Sequence, residues 1–324
     1  MFLCFSKNRI FFVRSVFDNP SSTNRLANKT LVEHRKYRCF FKKNQENFPK
    51  NEGQKMLIKE VVKYDIVIIT GASSGIGECF AEFVLNAFDK SKKVSKVFNI
   101  SRSSTKFDSR KNFVSVKCDL SDSNALDNAV AFVKAEIAKL PKKAKILLIN
   151  NSGFGAYGEF PMPNVQRNLQ MIDLNVRALT AMCGAFIEDI KQSQGAIINI
   201  ASTASFQPCP YLSVYAGTKS YVKSFSLALA YELGDSAKCL CVCPGPTSSM
   251  FFKAAGFDSA PLPSGFGHKP KDVVRCAFRA LSKNKKIVVV GGLNTLQSIV
   301  VSLIPTRILL WLSGWILAKV RKPR

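Results

Sequence analysis

Two residues that could move a proton lie four positions apart in the stretch SVYAGTKSYVKSF, residues 213–225. If this stretch is helical, Tyr215 and Lys219 share one face of the helix, one turn apart. A tyrosine with its ordinary pKa of about 10 is a poor base at neutral pH, and a nearby ammonium lowers that pKa by favouring the tyrosinate. The pair therefore indicates acid–base chemistry at a substrate oxygen. The alternative is an aromatic ring and a solvated cation on an ordinary helix.

The elements that would position this pair follow a regular pattern, in which short apolar runs alternate with helix-length stretches. The run YDIVIIT at 64–70 is rich in β-branched residues and ends in glycine, which is typical of a buried strand. Further strands are predicted at 96–100, 113–120, 145–150, 195–202, 238–245 and 286–292, and helices at 75–88, 123–140 and 215–233. This alternation predicts a single α/β domain whose parallel sheet is covered on both faces.

A glycine-rich turn, TGASSGIG at 70–77, joins the first predicted strand to the first predicted helix. Gly71 would allow a sharp turn, Gly75 a close approach of the backbone to a pyrophosphate, and Gly77 tight packing of helix on strand. The amides of the helix N-terminus would face the phosphates, with help from the hydroxyls of Ser73 and Ser74. A glycine triplet between a strand and a helix predicts a dinucleotide site.

The end of the second predicted strand bears on the choice of cofactor. Enzymes that use NAD commonly carry an acidic residue near this point to bind the adenosine ribose, whereas this chain has Ser101 and Arg102. The guanidinium fork suits a 2′-phosphate, so NADP(H) is preferred over NAD(H). The alternative is a surface arginine on a loop.

Six motifs in register give the chain a family resemblance. They are TGASSGIG, NNSG at 150–153, LNV at 174–176, NIASTAS at 199–205, YAGTK at 215–219 and PGPT at 244–247. Over residues 64–250 the chain resembles the classical short-chain dehydrogenases/reductases, near the branch of hydroxysteroid dehydrogenases and 3-ketoacyl reductases. The resemblance implies a Rossmann-type doubly wound sheet of about seven strands. Ser152, where the family usually has alanine, is a small departure.

The resemblance also implies roles for individual residues. Tyr215 would be the proton donor, Lys219 would tune it and hold the nicotinamide ribose, and Ser202 would orient the carbonyl. Asn175 would anchor a water relay to the lysine. Ser202 as a strand-end cap and Asn175 as a helix-interior bond are the alternatives. The other implied cofactor contacts are Asp119 toward the adenine, Asn151 and Gly153 on the adenosine side, and Pro244, Gly245 and Thr247 over the carboxamide. Ile76 and Leu120 are also implied to contact the cofactor.

The substrate side is predicted from aromatic residues. A long segment rich in glycine and proline, 247–268, corresponds to the family's substrate lid and holds Phe251, Phe252, Phe257 and Phe266. Phe154, Phe206 and Tyr211 could add apolar walls. An apolar substrate, acyl or sterol-like, is one interpretation, and phenylalanines that only pack the lid on the body are the other.

The N-terminal part has a different character. Residues 1–55 contain twelve Lys/Arg and four Asp/Glu, which is +8 of the formal net charge of +25. Their apolar residues show no sustained helix or strand periodicity. We expect this extension to be disordered or to be a translated leader. The leader hypothesis places the true start at Met56, because codons for Glu-Gly just before it give a purine-rich string of ribosome-binding type. The predicted divisions are thus 1–55, a catalytic domain at 56–292 and a C-terminal segment at 293–324.

The C-terminal segment 296–324 is apolar, with a basic end. Residues 296–318 contain one charge, Arg307, and Pro305 interrupts them, leaving apolar pieces that are nine and eleven residues long. A spanning helix needs about 20 apolar residues. Three alternatives stay open: a helix on an anionic membrane surface, an oligomer or core contact, and a true span.

Composition narrows the remaining classes. Ten irregularly placed cysteines do not form a secreted disulfide pattern, and two histidines give little support for a metal site. No nucleic-acid motif accompanies the positive charge. We therefore expect a cytoplasmic, homo-oligomeric oxidoreductase that interconverts a carbonyl and a secondary alcohol with NADP(H). Peripheral membrane contact through 296–324 is one of the open alternatives. A non-catalytic dinucleotide scaffold or redox sensor is the alternative.

Overall fold

The computed structural model describes residues 2–6, 9–13, 50–91, 95–140, 144–247 and 267–320. The chain divides into two compact units, Met1–Asn47 and Phe48–Arg324. In the first unit, strand β1 (Phe2–Ser6) pairs antiparallel with β2 (Arg9–Val13). The sequence did not predict these two strands, because residues 1–55 show no strand periodicity.

The second unit begins with helix α1 (Lys50–Val61), which crosses the predicted boundary at residue 55. Met56 packs against the core, and Leu57 and Val61 are buried. The proposed translation start at Met56 stays a prediction.

Seven parallel strands form the central sheet, as predicted. They are β3 (Ile66–Thr70), β4 (Lys96–Ser101), β5 (Phe113–Lys117), β6 (Ile146–Asn150), β7 (Ala196–Ile200), β8 (Lys238–Cys243) and β9 (Ile287–Val289). Their order is β5-β4-β3-β6-β7-β8-β9, so the chain winds outward in both directions from β3 and β6. This is the doubly wound Rossmann arrangement, in which ligands bind where the winding reverses, at the carboxyl ends of the strands.

Helices cover both faces of the sheet. They are α2 (Gly75–Ser91), α3 (Ser123–Ala138), α4 (Val165–Ile172), α5 (Leu179–Gln192), α6 (Ser213–Glu232), α7 (Pro270–Ser282), α8 (Gly292–Leu303) and α9 (Thr306–Val320). A π-helical turn, Asp173–Ala178, joins α4 to α5, and a 3₁₀ turn, Thr203–Phe206, follows β7.

Successive side chains of β3 point to opposite faces of the sheet, which explains why every residue of the strand from Ile66 to Ile69 is apolar. Ile66 and Ile68 enter one core, and Val67 and Ile69 enter the other. Both faces of this strand are buried, so every residue must be apolar. Cys239, Cys241 and Cys243 of β8 all enter one core, which confirms that they line one face of a buried strand.

The C-terminal segment is helical and broken at Pro305, as predicted. α8 ends at Leu303, and α9 begins at Thr306. Among the helices within the described ranges, none combines the length and apolar character needed to cross a membrane.

Most of the predicted lid lies outside the described residues. Only its two ends, at Thr247 and at Gly267–His268, are described, and the backbones of Thr247 and His268 form a parallel bridge. The four lid phenylalanines, Phe251, Phe252, Phe257 and Phe266, fall in the undescribed part.

Candidate active site

The glycine turn after β3 has the geometry that a dinucleotide cradle requires. Gly71 has φ +74° and Gly75 has φ +60°, in the left-handed region that glycine adopts without strain. A Cβ atom on Gly77 would lie 2.1 Å from the carbonyl oxygen of Gly71. The turn and the first turn of α2 are therefore packed backbone against backbone, and the amides at the start of α2 lie beside Ser73 and Ser74.

A threonine and an asparagine fix this turn to the neighbouring strand. The Thr70 hydroxyl accepts the amides of Asn151 and Ser152, each at 3.0 Å. The Asn151 side chain donates to the carbonyls of Thr70 and Gly71 at 3.1 and 3.2 Å. Asn151 thus supports the cradle from beneath, and Thr70 is a positioning residue that the sequence analysis missed. Its signal was a hydroxyl residue at the last position of the strand.

Ile76 and Leu120, two predicted cofactor contacts, border the same region in different ways. Ile76 packs partly against the core below α2. Leu120 lines a small cavity together with Thr70 and Ser152. The Ser152 hydroxyl oxygen lies 2.6 Å from the position of a Cβ on Gly71, so the departure from alanine adds a polar group directly beside the turn.

Arg102 and Asp119 meet at the edge where the adenosine is expected. The guanidinium nitrogen lies 3.8 Å from an Asp119 carboxylate oxygen, and both side chains are well exposed. Asp119 also accepts bonds from the amide and hydroxyl of Ser121, at 2.9 and 2.6 Å. Partial burial opposes ionisation of Asp119, but Ser121 and Arg102 outweigh it and hold its pKa below the usual value. An exposed ion pair of this length is weak, so Arg102 remains able to bind a phosphate.

Asn175 connects three parts of the site. It is 1 % exposed and lies in the π-helical turn. Its side-chain amide donates to the Phe154 carbonyl at 2.9 Å and the Thr218 hydroxyl at 3.0 Å, and its side-chain oxygen accepts the Phe154 amide at 3.1 Å. These contacts cross to other elements, so the helix-interior alternative for Asn175 does not describe its environment. π-helical turns are often found at functional sites.

Tyr215 and Lys219 lie buried on one face of α6, one turn apart. The Lys219 ammonium donates to the Ile200 carbonyl at 2.9 Å and lies 6.0 Å from the centre of the Tyr215 ring. A Cβ on Gly153 would lie 2.9 Å from the Asn175 side-chain oxygen and 3.3 Å from the Lys219 ammonium. Gly153 therefore gives the lysine and the asparagine room to lie close to one backbone segment.

Ser202 lies between β7 and the 3₁₀ turn, and it contacts Tyr215. Its hydroxyl accepts the Ala204 amide at 3.1 Å, so it caps the turn. It also hydrogen-bonds Tyr215 and draws the pKa of that phenol downward. The cap interpretation therefore describes Ser202, and the cap holds its hydroxyl beside the phenol. Its role toward a substrate carbonyl stays a prediction.

Burial controls the charge states of the pair. It raises the pKa of Tyr215 to about 12, with Ser202 opposing the rise, and it lowers the pKa of Lys219 to about 8. The spacing of the two residues predicts that Lys219 lowers the pKa of Tyr215. In this structure desolvation is the larger effect on Tyr215, because the whole phenol is removed from water.

Lys219→Met is expected to show a pH-dependent effect on stability. Between about pH 8 and about pH 10.5 Lys219 is neutral when folded but charged when unfolded, so the unfolded state binds more protons and this group's contribution to stability rises with pH. We expect the variant's stability advantage over the natural chain to shrink by roughly 2–3 kcal/mol over this range. Urea unfolding at a series of pH values measures it, with Lys223→Met on the same helix as control. A pH-independent difference would contradict the buried ammonium.

The segment after β8, where the nicotinamide is expected, is held by contacts to distant parts of the chain. The Pro244 carbonyl accepts the Thr203 amide at 2.8 Å, and the Thr247 hydroxyl donates to the Gly245 carbonyl at 3.0 Å. A Cβ on Gly245 would lie 2.3 Å from the side-chain nitrogen of Asn294, which lies 3.0 Å from the His268 ring. Asn294 and His268 thus hold this segment in position. Their distance along the chain left no sequence signal for the contact.

The three predicted apolar walls differ in their surroundings. Phe154 is buried with Met171 and Tyr215, and the Arg167 guanidinium lies 3.9 Å from its ring centre. Phe206 carries a lysine over its ring at 4.2 Å, and Tyr211 packs on Tyr157 at 6.0 Å. Apolar and cationic groups therefore occur together beside the site.

Comparison with known proteins identifies the family. The family model described as short chain dehydrogenase matches residues 65–258, which is more than half of the chain. The chain therefore belongs to the short-chain dehydrogenase family, as the motifs predicted. It is an NAD(P)-dependent oxidoreductase that acts on CH–OH donors.

Relatives and solved structures agree with this assignment. The NADP-dependent 3-hydroxy acid dehydrogenase YdfG of Salmonella typhi is 30% identical over 202 residues, covering 59% of this chain and 76% of that protein. The serine 3-dehydrogenase of Agrobacterium fabrum is 27% identical, covering 57% and 73%. A short-chain dehydrogenase from Sphingobium yanoikuyae in complex with NADPH has a TM-score of 0.59 at 26% identity, covering 74% and 96%.

Proposed function

We propose that this protein uses NADP(H) to interconvert an apolar carbonyl compound and the corresponding secondary alcohol. The observation that carries the proposal is the contact of the Ser202 hydroxyl with the Tyr215 phenol, next to buried Lys219 and Asn175. A dinucleotide scaffold without turnover would have no need for a desolvated phenol and ammonium in contact with such a network. Burying these groups costs stability, and groups perturbed in this way are concentrated at functional sites.

Each residue has a task in the proposed mechanism. NADPH, when bound, supplies the hydride. The Ser202 hydroxyl holds the substrate oxygen, and the Tyr215 phenol donates its proton to that oxygen. Because burial raises the pKa of Tyr215 to about 12, the phenol keeps its proton at neutral pH and is ready for the reducing direction. Asn175 holds the Phe154 backbone and Thr218 and anchors the proposed water relay to Lys219.

The preference for NADP(H) over NAD(H) rests on Arg102. It stands at the end of β4 in an exposed ion pair with Asp119, and the relatives named above include an NADP-dependent enzyme and an NADPH complex. The pyrophosphate, which NAD(H) and NADP(H) have in common, would lie against the backbone of the turn that contains Gly71, Gly75 and Gly77.

Arg102→Ala is expected to raise KM for NADPH by about tenfold, because a charge-assisted bond to the 2′-phosphate is lost. KM for NADH should change by less than about twofold, since that cofactor lacks the phosphate. Arg110→Ala is the matched control, because Arg110 also pairs with an exposed carboxylate, that of Asp89, at 2.6 Å. An equal loss of affinity for NADH and NADPH would contradict the assignment.

The apolar class of substrate is supported by the packing of Phe154 and Met171 against Tyr215. A second candidate, a 3-hydroxy acid, is favoured by Arg167, whose guanidinium lies over the Phe154 ring and donates to the side-chain oxygen of Gln170 at 3.2 Å. Comparing kcat/KM for apolar ketones with that for 3-oxo acids decides between them. A preference for 3-oxo acids that Arg167→Ala abolishes would overturn the apolar class.

The cysteines and the exposed apolar residues support a cellular setting and an assembly state. The eight cysteines from Cys79 to Cys276 are free thiols, which fits a reducing, cytoplasmic location, and exposed apolar residues such as Tyr221 and Leu227 fit a homo-oligomer. Burial raises the pKa of Cys183 to about 12 and that of Cys209 to about 11. Thiols in that state react slowly, which argues against the redox-sensor alternative at these two positions.

A further inference from the structure

The two C-terminal helices expose a concentrated apolar surface. Sixteen large apolar side chains are exposed in the described chain, and seven of them lie on α8 and α9: Leu293, Ile299, Leu303, Ile308, Leu310, Trp311 and Trp315. Leu303 is 79 % exposed and Trp311 is 62 % exposed. We call these seven residues the C-terminal surface. Exposed apolar residues in such density mark an interaction site.

The opposite side of α9 is attached to the catalytic domain. Leu309 and Ser313, four residues apart, are buried, and the Ser313 hydroxyl donates to the Pro208 carbonyl at 3.1 Å. A Cβ on Gly314 would lie 3.4 Å from the Pro210 ring. Pro208 and Pro210 belong to the segment between Ser202 and Tyr215. The attachment fixes which side of α9 faces outward, and it joins the helix to the segment that carries the catalytic serine and tyrosine.

The C-terminal part of the sequence carries charge of one sign. After Asp272 the sequence contains no further acidic residue, and the ten cationic residues that follow are Arg275, Arg279, Lys283, Lys285, Lys286, Arg307, Lys319, Arg321, Lys322 and Arg324. Four of them fall within the last six residues, immediately after the apolar part of α9. A helix with exposed tryptophan and leucine beside clustered Lys and Arg suits the interface of a bilayer that contains anionic lipid.

We propose that the C-terminal surface docks on a bilayer containing anionic phospholipid, with α8 and α9 lying in its interfacial plane. Tryptophan favours that depth, because its ring is amphipathic. The α9–Pro208 contact then puts the substrate side of the domain next to the bilayer. If the proposed function is correct, an apolar carbonyl compound dissolved in the lipid lies close to the site. A second copy of this chain is the competing occupant, and positive charge on both copies opposes it.

The only two tryptophans in the chain, Trp311 and Trp315, make the test direct. The full chain is mixed with phosphatidylcholine vesicles, with or without phosphatidylglycerol. We expect blue-shifted tryptophan emission with the anionic vesicles, quenching by lipids brominated on the acyl chains, and a weaker response at high salt. Unchanged emission at saturating anionic vesicles would overturn the proposal.

Variants separate this surface from the basic N-terminal extension. In vesicle flotation, Trp311→Ser with Trp315→Ser should reduce partition onto anionic vesicles by at least about tenfold. Tyr231→Ser, which replaces an aromatic side chain 88 % exposed on α6, should partition like the natural chain. Equal partition of the double variant would assign lipid binding to another segment and overturn the proposal.

Sedimentation velocity and a catalytic variant complete the test. If the natural chain forms a dimer without lipid and the double tryptophan variant is monomeric, the surface is a contact between copies and the proposal is wrong. Tyr215→Phe should bind vesicles normally, because docking needs no turnover. Loss of catalysis and loss of docking are therefore distinguishable failures.

Discussion

Tyr215→Phe is expected to lower kcat for carbonyl reduction about a thousandfold, because the proton donor to the developing alkoxide is removed. The ring remains in its buried position beside Phe154 and Met171, so the fold and the affinity for NADPH should be retained. Steady-state kinetics with an accepted carbonyl substrate measures the first quantity, and enhancement of NADPH fluorescence measures the second.

Tyr221→Phe is the matched control for this change. It removes the same hydroxyl from the same helix, and that hydroxyl lies 2.8 Å from the Thr180 hydroxyl, an exposed contact. Its kcat should stay within about twofold of the natural value, because surface changes have small effects. Comparable turnover by Tyr215→Phe and Tyr221→Phe, with cofactor bound in both, would refute the proton-donor role.

Gly77→Ala is expected to lower the free energy of unfolding by about 3 kcal/mol and to weaken NADPH binding strongly. The new methyl group would meet the Gly71 carbonyl oxygen at 2.1 Å and the Asn151 side chain at 2.4 Å. Because one of these neighbours is backbone of the turn itself, the clash can be relieved only by moving the cradle. Chemical unfolding and NADPH titration measure the two effects.

Gly184→Ala provides the control, since a Cβ there meets nothing within 4 Å and the residue lies within α5. Alanine in a helix interior is favoured over glycine by roughly 0.5–1 kcal/mol, so this variant should be slightly more stable. If Gly77→Ala behaved like Gly184→Ala, the close packing of α2 on the turn would not be needed.

The sheet and the shared helix face of Tyr215 and Lys219 could be predicted from sequence because their signals are local, whereas the roles of Ser202 and Asn175 came from the family resemblance. β3 is buried on both faces, so its run is wholly apolar, and its bounds differ from the prediction by two residues at the start. Tyr215 and Lys219 lie on one helix, where spacing alone determines that they share a face. Ser202 lies two residues after the end of β7.

Other features depend on contacts between distant segments. The pairing of Asn294 with His268 and the packing of Gly245 under Asn294 join residues with no local pattern. The pKa of Tyr215 depends on how completely the surrounding elements exclude water, and the sequence showed only the neighbouring lysine. The positions of the lid phenylalanines lie outside the described residues and stay predictions.

The central claim is that hydride transfer to a carbonyl carbon is completed by a proton from Tyr215. The most direct measurement supplies NADPH deuterated at both hydrogens of the nicotinamide C4, and follows absorbance and product mass over a panel of ketones, aldehydes and acyl thioesters. For an accepted substrate, we expect an alcohol that carries one deuterium on its carbinol carbon. We expect Tyr215→Phe to form almost none of this alcohol. A product without deuterium at that carbon, or equal product from Tyr215→Phe, would contradict it.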